Sequence, residues 1–119
     1  MAKARTFGEL LRERRRQAGI TQRQLAERAG VDFSYISKLE NDRLGPPAAD
    51  TVVKLSQILG TPAEELLTLV GKLPSDVHDQ LGASAGAQQF LRTVQEMALS
   101  DEEWRQLATT VRGFRKESE

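Results

Sequence analysis

Between Gln22 and Leu39 the chain carries two short apolar-periodic segments separated by Gly30-Val31-Asp32, and that spacing admits few folds. Leu25, Ala29, Val31, Ile36 and Leu39 recur at helical intervals, Ala26 is small where two helices would approach most closely, and Gly30 offers the left-handed conformation that ends a helix and begins a tight turn. Two helices joined in this way cross at a steep angle. They need further helices to cover their apolar faces.

The flanking sequence supplies them. Phe7, Leu10 and Leu11 predict a first helix over residues 6–18 with Thr6 as its cap, and Thr21 caps the second, Gln22 to Ala29. Asp32 is placed to cap a third, running to about Asn41. Gly45-Pro46-Pro47 forbids helix propagation, so Asn41 to Ala49 reads as a loop. Asp50 is the expected cap of a fourth helix through Leu59, and Thr61-Pro62 of a fifth through Leu69. The apolar period lapses at Gly71, which sets expected domains of 1–70, a linker with a short helix over 71–86, and a C-terminal helical region over 87–119. Within that linker Ser75 to Leu81 predicts one or two turns, and Gly82 to Gly86 a flexible spacer. Residues 87–98 have helical period, and Ser100 with Glu103 forms a capping box opening a last helix from Asp101 to about Lys116. No segment alternates with period two, so the expected class is all-α.

Here the sequence resembles the helix-turn-helix domain of the phage-repressor (Xre-type) family of transcription factors, over roughly residues 5–70. The resemblance is carried by Ile20-Thr21-Gln22, Leu25-Ala26, Ala29-Gly30-Val31, Tyr35 through Asn41, and the Leu55 to Gly60 helix end. It implies a five-helix lambda-repressor-like domain that binds double-stranded DNA, with the third helix in the major groove. By matched position, Asp32, Phe33, Ser34 and Lys38 are the expected base contacts, and Gln22, Tyr35, Ser37, Asn41 and Arg43, with Arg23 beside them, the backbone contacts. Phe33 replaces a residue that is often polar in the family; contact with a thymine methyl and packing against the neighbouring helix both remain open. The resemblance also implies that Arg15 and Glu40 pair as a structural ion pair.

Charge agrees with this reading once it is mapped along the chain. The 119 residues balance, 17 basic against 17 acidic, yet residues 1–47 hold ten basic side chains against six acidic and net +4, leaving −4 for the rest. There is no cysteine, and His78 is the one histidine, so thiolate chemistry and a Cys- or His-built metal site have no residues to work with. No catalytic acid–base set or phosphate loop occurs, and no cofactor is expected. Neither a signal sequence nor a membrane span is evident; a cytoplasmic protein is expected.

In the C-terminal region Trp104, Leu107, Val111 and Phe114 share one helical stripe, and Phe90 and Val94, with Leu91 and Met97, form another. A hairpin of the two would leave apolar surface over. A second copy of the chain is its expected cover, because a two-fold dimer reads two half-sites; folding back on residues 50–70 is the alternative. The expected activity is therefore a transcriptional repressor that binds a palindromic operator as a homodimer. The loop Leu44 to Pro47 with Gly71-Lys72-Leu73-Pro74 is also similar to repressors cleaved by zinc-metallopeptidase partners. An antitoxin or adaptor whose C-terminal helices bind a toxin or metallopeptidase is the rival expectation.

Overall fold

The computed structural model describes residues 5–116. Among them are eight helices and no strand: α1 (Phe7–Gln17), α2 (Gln22–Ala29), α3 (Phe33–Glu40), α4 (Ala49–Leu59), α5 (Ala63–Val70), α6 (Ser75–Ala83), α7 (Ala85–Met97) and α8 (Asp101–Lys116). The chain divides into two compact units, Met1–His78 and Asp79–Glu119, with the division falling inside α6.

The first unit is built on well-capped helices. Thr6 and Glu9 form a reciprocal capping box on α1, and Thr21 and Gln24 do the same for α2. Gly30, at φ 71°, closes α2 in the left-handed conformation, and Val31 N–H then donates to Ala26 O at 3.0 Å. After that turn α3 packs back against α2. Leu11, Leu25, Ile36 and Leu55 meet at the centre with no or almost no exposure, and Ala26, Ala29, Leu39 and Leu59 complete the cluster. A second cluster of Leu10, Val52 and Leu66 joins α1, α4 and α5. Burying a leucine of this kind is worth about 1.5–3 kcal/mol, so these clusters are the main stabilising term.

Three expected caps take other roles. Asp32 sits at the start of α3 but makes no side-chain cap bond. The residue preceding α4 is Ala48, and Asp50 lies within the first turn. Its carboxylate instead accepts from Ser75 N–H at 3.0 Å and Ser75 Oγ at 2.7 Å, capping α6 from a distance and holding its own pKa below the usual aspartate value. Helix α5 begins one residue later than expected, at Ala63 with Pro62 in the cap position. Pro62, at φ −58° and ψ 131°, is still extended rather than helical, and Thr61 N–H donates to Ser56 O at 3.0 Å to finish α4.

Gly8 was not legible as special. A Cβ there would stand 2.4 Å from Leu39 O and 2.6 Å from Glu40 O, so the start of α1 passes directly over the end of α3. Asp42, at φ 54°, seals the crossing by accepting from Gly8 N–H at 3.0 Å and Thr6 Oγ1 at 2.6 Å.

In the second unit the expected spacer is largely helical. Helix α6 continues through Gly82 and Ala83, and α7 opens at Ala85, leaving only Ser84 between them. Ser84 makes that possible, because its hydroxyl accepts from Ala87 N–H at 3.1 Å and caps α7. Ser100 and Glu103 exchange the two capping-box bonds at the start of α8, and the Ser100 N–H bond lowers the Glu103 pKa. No described residue of α6, α7 or α8 is buried.

Candidate nucleic-acid interface

Helix α3 divides its residues cleanly. Ile36, Leu39 and Glu40 are buried; Asp32, Phe33, Ser34 and Lys38 are exposed, with Tyr35 and Ser37 half-buried between the two faces. Ser34 and Lys38 lie four apart on one face, so both project from the same side of the helix. The exposed residues cluster at the start of α3, beside the start of α2.

Glu40 is the anchor beneath that surface. Its side chain has no solvent exposure, and three donors converge on it. Arg15 grips it bidentately, Nε to Oε2 at 2.6 Å and Nη2 to Oε1 at 3.0 Å, while Gln22 Nε2 donates to Oε1 at 3.0 Å and Arg12 Nε to Oε1 at 3.4 Å. Burial alone would raise the Glu40 pKa. The hydrogen bonds from Arg15 and Gln22, the Arg15 charge and the Arg12 bond outweigh it, and the carboxyl titrates below the usual glutamate range. Arg15 Nη1 also donates to Ile20 O at 2.9 Å, so α1, the α1–α2 turn and α3 are tied at one point.

Two surface residues are positioned by this network. Gln22 is held at the N-terminus of α2, where backbone N–H groups and the helix dipole favour an anion such as a phosphate. Asn41 accepts from Arg12 Nη2 at 2.8 Å and donates to Ser37 O at 2.8 Å. Arg12 links all of these. The spacing to Arg15 on the same helix face is the one sequence signal that could have singled it out.

Arg23 and Phe33 come together across the two helices, the guanidinium 4.5 Å from the ring centroid. Phe33 thus packs against α2 on one face and still keeps 39% of its surface exposed. Arg12, Arg16, Gln22, Arg23 and Phe33 line one open, basic cleft between α1, α2 and the start of α3. Arg43 is exposed just beyond α3, its N–H donating to Lys38 O at 2.9 Å. Among the described residues no cluster of acidic or histidine side chains could hold a metal ion, and no helix is long and apolar enough to cross a membrane.

Of the C-terminal residues, Phe90 and Val94 from α7 and Leu107 from α8 line a groove between the two helices with Met97 and Leu99. Trp104, Val111 and Phe114 stay exposed on α8.

Comparison with known proteins places the fold in a family. The chain is 38% identical over 82 residues to the transcriptional regulator RghRB of Bacillus subtilis, spanning 69% of this chain and 59% of that protein. It is 38% identical over 74 residues to the transcriptional repressor RghR of the same organism, and 38% identical over 61 residues to the regulator PuuR of Escherichia coli. Those matches cover 62% of this chain and 54% of RghR, and 51% of this chain and 32% of PuuR, so the chain spans well under two thirds of each relative. Among solved structures, the complex of SinR and SinI proteins aligns with a TM-score of 0.50 at 23% identity, covering 94% of this chain and 99% of that one, a likeness of fold. Residues 8–72 match the family described as helix-turn-helix domain, and the chain belongs to this Xre-like family of helix-turn-helix transcriptional regulators.

Proposed function

We propose that the chain is a sequence-specific repressor that binds a two-fold symmetric operator as a homodimer. The observation that carries this is the buried Glu40, which locks α1, α2 and α3 so that Gln22 and the exposed start of α3 face the same way. In this reading Ser34 and Lys38, with Asp32 and Phe33, meet base edges, and a lysine there donates to guanine O6 and N7. Gln22, Arg23, Tyr35, Ser37, Asn41 and Arg43 grip sugar and phosphate, with Arg12 and Arg16 adding positive potential. The dimer contact falls to the C-terminal helices, through Phe90, Val94, Trp104, Leu107, Val111 and Phe114.

Selection of bound sequences from a random duplex pool tests this directly: an enriched inverted repeat is expected, and no enrichment would overturn the reading. With roughly 6–10 phosphates engaged by a dimer, affinity should fall about 10³- to 10⁵-fold between 50 and 200 mM salt. Lys38→Ala should relax preference at one base pair per half-site at a cost of about 1–3 kcal/mol, whereas Gln22→Ala should weaken all sequences alike.

A second reading is favoured by one observation, the absence of any buried residue in α7 and α8. In it a different protein, such as a toxin or a metallopeptidase, completes the hairpin; the solved structure of like fold is itself a complex of two proteins, SinR and SinI. Purified chain that stays monomeric and reads no inverted repeat would favour it.

A further inference from the structure

Helix α8 reads nearly alike in both directions. Its apolar stripe runs aromatic, aliphatic, aliphatic, aromatic (Trp104, Leu107, Val111, Phe114), with the mid-point at the level of Thr109. Its end turns carry opposite charge: Asp101, Glu102 and Glu103 occupy the first turn, Arg115 and Lys116 the last, with Arg105 and Arg112 between them. From this pattern we infer that α8 pairs antiparallel with α8 of a second copy, about a two-fold axis level with Thr109. The inference rests on the homodimer reading above and names its interface.

The register follows from the stripe. With spacings of 3, 4 and 3, antiparallel packing sets Trp104 against the partner's Phe114 and Leu107 against the partner's Val111, each twice by symmetry. The same register brings Asp101 alongside the partner's Arg115 at both ends of a contact about 24 Å long. A parallel pair would set acidic turn against acidic turn and basic against basic. Helix α7 offers no such polarity, since its charges are Arg92 and Glu96, one turn apart. The intramolecular contact leaves room for the partner: α7 meets α8 at Glu103, Gln106, Leu107 and Thr110, so Leu107 stands at the edge between the two contacts, while Trp104, Val111 and Phe114 remain 43%, 55% and 69% exposed. Ala108, small and flanking the stripe on the side away from α7, lets the two α8 backbones approach at the axis.

The chain has no cysteine, which makes single-cysteine crosslinking clean. In the full chain Ala108→Cys should be joined to its own symmetry mate by a short bismaleimide at least tenfold faster than Thr109→Cys, which lies on the opposite side of the helix. Circular dichroism should show that both variants keep their helices. Equal or reversed rates in a dimeric protein would overturn the register while leaving the homodimer intact. A chain that sediments as a monomer at high micromolar concentration would overturn both. A charge exchange gives an independent reading: Asp101→Arg and Arg115→Asp should each raise the dimer Kd about tenfold alone, since two exposed attractions become two repulsions. Mixed one to one, the two variants should associate about as tightly as the unaltered chain. Asp101 also holds Arg105 within α8 at 2.8 Å, and Arg115 too is already engaged within its own chain, but mixing cannot restore those contacts, so failure of the mixture to recover would refute the intermolecular pair.

Discussion

The two units solve the problem of burial in opposite ways. All twelve buried hydrophobic residues found among the described residues, from Leu10 to Leu66, belong to the first unit, which also buries an ion pair and leaves no buried polar side-chain atom without a partner. The second unit has amphipathic helices, good caps and, among its described residues, none that is buried. Capping and propensity contribute only a few tenths to about 1 kcal/mol each, and short helices without a packed face are marginal in water. The first unit therefore carries its own core, and in the proposed dimer the second would draw its stability from association.

The sharpest way to break this contrast is to cut between the units. A chain ending at His78 should keep a cooperative thermal transition by circular dichroism, yet bind a full operator about 10²- to 10⁴-fold more weakly because two tethered half-sites become independent. If the shortened chain unfolds instead, the first unit is not self-sufficient. Next comes Glu40→Ala, which strands Arg15 without its carboxylate; urea denaturation should show a loss of about 3–5 kcal/mol. Trp104→Ala is its counterpart in the second unit, and should leave that transition in place while raising the dimer Kd by roughly tenfold or more, read by analytical ultracentrifugation. Gly8→Ala should cost about 1–3 kcal/mol, because the added methyl meets backbone carbonyls of α3 that cannot turn aside.

The smallest effect is acid sensitivity. Glu40 binds its proton less readily in the folded state than in the unfolded chain, so its contribution to stability is present above the ordinary glutamate pKa and is lost as pH falls through the lower, folded-state value. Denaturation midpoints of the shortened chain should drop over that window, and Glu40→Gln should flatten the slope. An unchanged slope would mean that other carboxylates govern acid unfolding.

Much of the first unit could be read from sequence because its signals are local. A period of 3.6 in apolar residues, a threonine before each of α1 and α2, and Gly30 after α2 act within a few residues of chain, and each appears where periodicity puts it. The caps that failed did so for non-local reasons. Asp50 has the right chemistry for a helix start, but Ser75 competes for its carboxylate from 25 residues away. Gly82 and Ala83 looked like a spacer because glycine weakens a helix, and a single serine sufficed to separate α6 from α7.

The amino-acid sequence by itself determined the helical class, the tight turn at Gly30 and the division of α3 into inward and outward residues, since all three depend on steric preferences and hydrophobic period along one stretch of chain. Only the tertiary structure decided that Arg12 and Gln22 join Arg15 on Glu40, that Arg23 lies over Phe33, and that Gly8 must have no side chain. Those facts depend on where separate helices come to rest against one another, and a carboxylate with room for several donors does not announce in its sequence neighbours which of them will reach it.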